Sequence, residues 1–375
     1  MAYAAGKMRV LEGGMVGTGD MAGAPSDCAF TTVSLIEERT VVVCFRRGQG
    51  RDYADGLMST YVSHDLGRTW DAREVDAAGN HLGEPGELRG RSTARLSDGV
   101  LVETGLSIDS PQVGQPFVHP ETTGLLPMHI VHRRLADRGR SWSEWRRMDT
   151  APHTAASPCS MAVLELANGV LAQPYECWKE YEEPGPAPQA AYLRLSTDGG
   201  LTWPDWQLVA AAEATYLWDQ RIAIAPDDGR LVAMFWTHDS RSHAHRDSHI
   251  SWGAPDGRQW SEPVGTGLPG QHTQPLALGA GRLLAIYPRR DDVAGIVMSH
   301  SRDSGVTWLR QEDLWLHRHG GGAEEGSLAS ETLHATWRDM SAWSFGHPRC
   351  LLVEPALVFA VYCAAGNAHW ALVEV

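Results

Sequence analysis

Residues able to transfer protons or to bind anions are concentrated in short runs at the ends of apolar segments. Carboxylates, histidine and tyrosine can act as general acids or bases. An arginine guanidinium can hold a carboxylate or sulfate group through two parallel hydrogen bonds. Because both kinds of residue recur in these runs, the sequence predicts proton transfer beside a bound anion. The runs are CFRRG at 44–48, PYECW at 174–178, WDQR at 218–221, WTHD at 236–239, HTQP at 272–275, YPRR at 287–290 and GHPR at 346–349.

The apolar segments beside these runs have the length and composition of β-strands. After residue 150, strands are predicted at Cys159–Leu166, Val170–Tyr175 and Ala190–Ser196, with a fourth around Trp206–Ala210. Four antiparallel strands of this kind make one small sheet. The same order of strands, turns and loops recurs along the chain, and this recurrence predicts a repeated all-β architecture.

One octet of the form S-x-D-x-G-x-T-W also recurs. It is intact at Ser63–Trp70, Ser196–Trp203 and Ser301–Trp308, and partly preserved at Leu135–Trp142 and Gly253–Trp260. The aspartate can accept hydrogen bonds from the backbone of its own turn, and the tryptophan can fill the space between neighbouring sheets. A catalytic group has no reason to recur in every repeat, so the octet is predicted to be structural.

Several such octets in one chain resemble the Asp boxes of the sialidase-like superfamily. The resemblance covers nearly the whole chain and implies an all-β, six-bladed β-propeller with four antiparallel strands per blade, in a single domain of residues 1–375. Only three strands are predicted after residue 340, so the segment Met8–Glu12 is expected to complete the last blade and close the ring. The blades are predicted near residues 26–80, 88–150, 153–212, 215–266, 270–318 and 340–375, the last with residues 8–12.

In propellers of this superfamily the ligand site lies over the central channel, where innermost strands begin and second strands end. The resemblance therefore implies that the charged runs converge there. The candidate catalytic residues are Asp219, Glu176, Asp52, Asp55, His238, His347 and Tyr287. The candidate substrate-binding residues are Arg46, Arg91, Arg221, Arg289, His272, Gln274, Arg349 and Trp218.

The sequence departs from true sialidases at several of their characteristic positions. Sialidases carry an arginine within F/Y-R-I-P on the first innermost strand, whereas this chain reads CAFT at 28–31. The stretch 44–56 takes the place of their acid/base aspartate loop, so Asp52 or Asp55 is expected to stand there. Asp219 falls near the carboxylate that assists their tyrosine nucleophile. The last blade reads FGHPR where that tyrosine would be expected.

These residues predict a glycan-processing enzyme, an exo-glycosidase acting on an anionic sugar at the central channel. Hydrolysis needs a proton donor and a base or nucleophile, which Asp219, Glu176 and the loop with Asp52 and Asp55 can supply. Two alternatives remain open. One is a uronate lyase on the same fold, which would use His238, His347, Tyr287 and Arg289. The other is a non-catalytic propeller that binds carbohydrate or protein.

Composition excludes several other functions. The formal net charge of −14 argues against non-specific binding to nucleic acid or to an anionic membrane surface, because both depend on basic patches. No cofactor is predicted. The N-terminus lacks the apolar core of a signal peptide, so a cytoplasmic or trimmed protein is expected. The six cysteines lie singly in apolar segments, and they are predicted to be reduced core residues.

Two further stretches have their own interpretations. The stretch 237–252 contains His238, His243, His245 and His249. A bound metal is one interpretation of it, but such histidines are also common in solvated loops, and no metal is predicted. Residues 320–331, GGGAEEGSLASE, are predicted to form a surface loop before the last blade.

Overall fold

The computed structural model describes residues 7–17, 27–48, 54, 56–75, 82–83, 85–110, 112, 114–135, 141–324 and 328–375. Within these residues the strands form six antiparallel sheets of four strands each. The predicted six-bladed β-propeller is therefore confirmed. We number the blades one to six in chain order.

Blades one to three follow the strand order that the repeats predict. Each sheet runs from its innermost to its outermost strand in sequence order. Blade one holds β2 (Asp27–Glu37), β3 (Thr40–Gly48), β4 (Leu57–Ser63) and β5 (Asp71–Val75). Blade two holds β6 (Gly86–Arg95), β7 (Leu101–Asp109), β8 (Met128–Leu135) and β9 (Arg146–Arg147). Blade three holds β10 (Leu164–Glu165), β11 (Leu171–Cys177), β12 (Ala190–Ser196) and β13 (Asp205–Ala210).

Blades four to six continue the same order, and a helix precedes the last one. Blade four holds β14 (Thr215–Ile224), β15 (Leu231–Asp239), β16 (His249–Gly253) and β17 (Val264–Gly265). Blade five holds β18 (Gln274–Gly279), β19 (Arg282–Arg289), β20 (Gly295–Ser301) and β21 (Leu314–Arg318), with a 3₁₀ turn at Arg310–Glu312. Blade six holds β22 (Phe345–Glu354), β23 (Leu357–Ala364), β24 (Asn367–Glu374) and β1 (Arg9–Met15), and α1 (Leu333–Ser341) lies before it.

Burial within each blade reflects the packing of neighbouring blades. The second strands are buried on both faces, as in β7 and β15, because a blade covers each side of them. The outermost strands, such as β13, are largely exposed. This is why the second strands are rich in apolar and small residues.

The ring is closed by the N-terminal strand, as the sequence predicts. Strand β1 pairs antiparallel with β24, with Arg9 opposite Glu374 and Met15 opposite His369. Met8, just before β1, is buried in the core between blades five and six. In addition, Cys28 of blade one and Cys363 of blade six form a disulfide, with their Cα atoms 5.8 Å apart. The prediction of six reduced cysteines is wrong for this pair, because ring closure brings together residues separated by 335 positions.

Deletion of residues 1–12 is expected to lower the melting temperature sharply. The deletion removes part of β1 and the buried side chain of Met8, so β24 would present unpaired backbone groups along its edge. The measurement is thermal unfolding followed by circular dichroism, beside a deletion of residues 1–6 that leaves β1 intact. An unchanged melting temperature for the longer deletion would contradict this role of β1.

The three intact octets form the same turn. In the first, the Asp65 carboxylate accepts hydrogen bonds from the Thr69 backbone N–H at 2.9 Å and from its hydroxyl at 2.8 Å. The Ser63 hydroxyl accepts the Gly67 N–H at 2.7 Å. The equivalent bonds recur around Asp198 and Asp303. These aspartates are occupied within their own turns, which fits the structural role predicted for them.

The two degenerate octets keep only part of this pattern. The ends of one meet in an isolated bridge between Leu135 and Trp142, and its residues 136–140, which include Asp137, lie outside the described residues. In the other, Asp256 accepts the Arg258 N–H at 3.0 Å, and Gly253 pairs with Trp260.

Within the described part of the chain, no helix has the length and apolar character that crossing a membrane requires.

Candidate active site

A residue with a left-handed backbone stands at the channel end of the innermost segment in every blade. In four of the blades it coincides with a shift of register between the innermost and second strands. Such bulges re-aim side chains, and a positive φ is unfavourable for most residues other than glycine, so they commonly mark functional sites. The residues and their φ angles are Phe30 (53°), Gly90 (64°), Cys159 (51°), Asp219 (52°), His272 (44°) and His347 (51°).

Contacts among these residues show that they converge on the central channel. The His347 ring lies 4.7 Å from the Phe30 ring and 5.2 Å from the His272 ring, measured between centroids. The Nε2 atom of His272 lies 3.1 Å from a carboxylate oxygen of Asp219. The Asp219 backbone N–H donates to Glu176 at 2.8 Å. The chain of contacts therefore runs from blade one through blades six, five and four to blade three.

A cavity of about 110 Å³ opens beside this cluster. Glu176 and Asp219 lie in its wall, and most of the remaining wall is aromatic or aliphatic. Such a concave, mainly apolar site with a few polar groups is typical of a small-molecule binding site. The other lining residues are Phe30, Arg89, Leu106, Phe117, Leu125, Met128, Ala155, Ser157, Cys177, Trp178, Trp218, Trp236, Trp337 and Met340.

The two carboxyl groups in the wall have different electrostatic surroundings. Burial, together with the charge of Asp219, raises the pKa of Glu176 to about 8. Asp219 is paired with Arg221, whose Nη2 lies 3.0 Å from its carboxylate, and it also contacts His272. When the environments of two neighbouring carboxyl groups move their pKa values apart, one group can act as the acid and the other as the base. At neutral pH, Glu176 therefore holds a proton beside the Asp219 carboxylate.

A buried ion-pair group beside the cavity contributes one arginine to its wall. The Glu87 carboxylate is buried between Arg46 and Arg89, each with its Nε 2.7 Å from Oε1. Burial opposes ionisation of Glu87, but the charges of Arg89 and Arg46 outweigh it and hold its pKa at about 2. Arg89 reaches the cavity, with its guanidinium carbon 5.0 Å from the Phe30 ring and 4.8 Å from the Phe117 ring.

Arg89 is a site residue that the sequence reasoning missed. The sequence analysis placed Arg91, two positions later on β6, at the site because it lies near the start of the predicted innermost strand. The register shift between Arg89 and Ser92 changes the direction of the side chains, so that Arg89 reaches the cavity while Arg91 pairs with Glu103 at 2.9 Å. A glycine between two arginines, at Gly90, was the signal for a bulge, since only glycine adopts φ of 64° without strain.

The cavity is covered by helix α1, which the sequence analysis also missed. Trp337 and Met340 of α1 line the cavity, and the Trp337 ring lies 5.9 Å from Trp178 and 5.7 Å from Trp218. The Thr332 hydroxyl accepts the Ala335 N–H at the start of the helix. A threonine cap followed by Leu333, Trp337 and Met340 at helical spacing was present in the sequence as a signal.

Several predicted site residues make their contacts away from the cavity. Arg289 pairs with Asp291 at 2.5 Å, and the buried Tyr287 hydroxyl lies 2.9 Å from the Ser299 hydroxyl within blade five. Gln274 bonds to the Cys350 backbone of blade six. Asp52 and Asp55 lie outside the described residues. The structure thus brings together Asp219, Glu176, Trp218, Arg221, His272 and His347 from the predicted set.

The histidine-rich stretch packs behind the cavity wall. The His238 ring stacks on Trp218 at 4.6 Å, and its Nδ1 lies 3.3 Å from that of His245. Burial, together with the charge that His243 would carry, lowers the pKa of His238 to about 4, so His238 is neutral at physiological pH. Among the described residues, no group of three or more His, Cys, Asp or Glu side chains is placed to hold a metal ion.

The fold is that of a sialidase-like six-bladed propeller. A model of the BNR repeat-like domain family matches residues 116–346. Because this match covers more than half of the chain, the protein belongs to the BNR repeat-like family. No curated protein sequence is similar to the chain at a significant level.

Solved structures with the same fold include proteins of known and unknown function. A protein of unknown function from Dyadobacter fermentans is 18% identical, with a TM-score of 0.72 over 98% of this chain and 99% of that one. A Hadza microbial sialidase is 15% identical, with a TM-score of 0.64 over 94% and 66%. A Trypanosoma rangeli sialidase in complex with the inhibitor DANA is 11% identical, with a TM-score of 0.57 over 93% and 55%. The chain spans about two thirds of the Hadza microbial sialidase and about half of the Trypanosoma rangeli sialidase. At these identities the similarity shows a shared fold alone.

Proposed function

We propose that the protein is an exo-acting glycosidase that removes a terminal sugar carrying an anionic group. The observation that supports this most directly is the pair Glu176 and Asp219, which lie side by side in the wall of the cavity at the channel mouth. Glycoside hydrolysis needs two such carboxyl groups in different protonation states.

In this proposal Glu176 is the general acid. Its raised pKa of about 8 keeps it protonated at neutral pH, so it can protonate the oxygen of the leaving group. The Asp219 carboxylate stabilises the positive charge that develops on the sugar ring, and it acts as base or nucleophile. Arg221 and His272 hold Asp219 in place, and the left-handed backbone at Asp219 fixes the direction of its side chain.

The rest of the wall supports a single sugar ring as the ligand. Tryptophan rings can stack on the apolar face of a sugar, and Trp178, Trp218 and Trp236 line the cavity. The guanidinium of Arg89 in the cavity wall favours an anionic substituent on the sugar. Arg46, Arg91, Arg221 and Arg289 pair with carboxylates and do not line the cavity, whereas Arg89 does, which makes Arg89 central to this part of the proposal.

A substrate screen tests the proposed reaction. Aryl glycosides with and without a carboxylate are offered to the protein, and release of the aryl group is followed beside the absorbance of unsaturated sugar products. Aryl release with no unsaturated product supports hydrolysis, whereas unsaturated product supports the lyase. Binding without turnover in titration calorimetry would favour the non-catalytic propeller and contradict the proposal.

Asp219→Asn is expected to reduce kcat by roughly 10²–10⁴-fold on the substrate that the screen identifies, with little change in KM. The amide keeps the shape of the side chain but can neither accept a proton nor stabilise positive charge as a carboxylate does. The matched control is Asp228→Asn, an exposed aspartate of the same blade that pairs with Arg230. If Asp219→Asn kept full turnover, Asp219 would not be the base or nucleophile.

A further inference from the structure

A second cavity, of about 320 Å³, lies between the outer parts of blades two and three. Blade two forms one wall with β8, β9 and the segment between them, and the octet turn of blade three forms the other. None of the lining residues belongs to the sugar cavity. The lining consists of His132, Arg134, Ser141, Trp142, Ser143, Arg146, Gly200 and Leu201.

The strand pairing places three basic side chains of this lining on one face of blade two. His132 and Arg134 are two positions apart on β8, and Arg146 of β9 is the pairing partner of His132. Residues two apart on a strand share one face of the sheet, and so do residues directly opposite each other on paired strands. The His132 ring lies 5.9 Å from the Trp203 ring of blade three, measured between centroids. This face is therefore turned toward blade three.

Arg134 extends across the space between the blades to the octet turn of blade three. Two of its guanidinium nitrogens lie 3.5 and 3.7 Å from the point that a Cβ atom on Gly199 would occupy. A longer side chain at this position would take the space that the guanidinium now fills. The glycine of the octet turn therefore leaves room for the charged end of Arg134.

In the described part of the chain, neither Arg134 nor Arg146 forms an ion pair, and neither side chain is hydrogen-bonded. The Nε atom of Arg134 and the Nδ1 atom of His132 are buried there without a partner. Arg133, on the other face of β8, differs, because its Nε lies 2.6 Å from a carboxylate oxygen of Glu103. A buried N–H group without an acceptor is costly, so an acceptor supplied by a ligand would stabilise this arrangement.

No acidic side chain among the described residues lines this cavity. The octet turn that faces it contains Asp198, but that carboxylate is held within its own turn by the N–H groups of Leu201 at 3.0 Å and Thr202 at 2.9 Å. Burial, together with the charges of Arg146 and Arg134, lowers the pKa of His132 to about 4. At neutral pH the cavity therefore presents two guanidinium groups beside a neutral imidazole.

We propose that this cavity binds a sulfate or phosphate group, held by the guanidinium groups of Arg134 and Arg146. An arginine can donate two parallel hydrogen bonds to such a group. The Ser141 hydroxyl lines the same cavity and adds a donor from a third segment. Donors from three segments suit the tetrahedral arrangement of sulfate or phosphate oxygens better than a planar carboxylate. Trp142 and Leu201 give the lining an apolar part that can contact the organic portion of an ester.

Titration calorimetry on the full-length protein at low ionic strength tests this site with sodium sulfate, sodium phosphate and glucose 6-sulfate. Sodium acetate serves as the planar control anion. We expect saturable binding of the tetrahedral anions and much weaker binding of acetate. Tighter binding of glucose 6-sulfate than of sulfate would identify an organic ester as the ligand, and equal binding would identify the free ion. Absence of saturable binding of all three tetrahedral probes, or equally tight binding of acetate, would overturn the proposal.

Two neighbouring variants separate this site from general electrostatic attraction. Arg146→Met is expected to weaken binding by about tenfold or more, and because Arg146 is exposed, its replacement should leave folding intact. The matched control Arg147→Met removes the next charge of β9, which faces the other side of the sheet and lines a different surface. It is expected to bind within about twofold of wild type, since it removes the same charge without touching the cavity. Equal weakening in both variants would overturn the proposal.

The ring resonances of His132 report where the anion binds. They are assigned by comparison with His132→Gln and followed by nuclear magnetic resonance as sulfate is added at constant ionic strength and neutral pH. We expect them to shift with the same saturation as the calorimetric binding. Those of His129, on the opposite face of β8 with its Nε2 3.3 Å from Asp109, are expected to stay unchanged. Sulfate binding that leaves the His132 resonances in place would overturn the assignment of this cavity.

Discussion

Glu176→Gln is expected to reduce turnover on an aryl glycoside by roughly 10²–10⁴-fold, the usual loss when a general acid is removed. The glutamine keeps the size of the side chain and can still accept the Asp219 N–H, which lies 2.8 Å from the glutamate oxygen. It cannot give up a proton to a leaving group. The matched control is Glu354→Gln, an exposed glutamate at the end of β22 in blade six, which is expected to retain full turnover.

The same residue predicts how the wild-type enzyme depends on pH. Burial and the charge of Asp219 raise the pKa of Glu176 to about 8, so turnover is expected to fall as the pH rises through about 8 and the acid loses its proton. The Gln variant should lack this alkaline limb in its residual activity. A wild-type rate that stays constant from pH 7 to pH 9.5 would contradict the assignment of Glu176 as the acid.

Protein stability provides a readout of Glu176 that requires no substrate. The folded protein keeps a proton on Glu176 up to about pH 8, whereas the unfolded chain loses it near the usual value of 4.5. The folded state therefore binds more protons over this interval, and the free energy of unfolding declines as the pH rises through it. At pH 9, Glu176→Gln is expected to be more stable than wild type by a few kcal/mol, and below pH 4.5 this difference should vanish. Urea unfolding at both pH values measures it.

Trp203→Ala is expected to lower the free energy of unfolding by about 3–5 kcal/mol. Trp203 ends the intact octet of blade three and is 4% exposed. Its ring packs in one cluster with Val102 and Ile130 of blade two and with Leu171 of its own blade. Truncation leaves a cavity between two blades that the surrounding strands cannot close without breaking their pairing. The measurement is urea unfolding followed by circular dichroism.

The control for this substitution is Trp206→Ala, three residues further along. Trp206 is 43% exposed, and its ring contacts His153 and Tyr192 at the surface. It is expected to cost about 1 kcal/mol. Both variants should keep wild-type turnover per folded molecule at low temperature. Full stability of Trp203→Ala with lost turnover would mean that the octets take part in function.

The sequence by itself determined the architecture, because the features that specify it are local. Each intact octet forms its turn through hydrogen bonds between residues a few positions apart, as between Ser63, Asp65 and Thr69. These hydrogen bonds can therefore be predicted from the sequence of the octet. The number of strands after residue 340 was enough to predict that β1 completes blade six. Because the same four-stranded sheet recurs in each repeat, assigning the strands of one blade also indicated the strands of the others.

Only the tertiary structure decided the composition of the candidate site. A bulge of one residue changes which side chains face the channel, so the choice between Arg89 and Arg91 depends on a register shift that no periodicity reveals. The partners of charged residues come from other blades, as with Glu87 for Arg46 and His272 for Asp219. The raised pKa of Glu176 arises from burial and from Asp219, which is 43 positions away in the sequence. Electrostatic effects of this kind depend on distances between distant segments, and folding alone sets those distances.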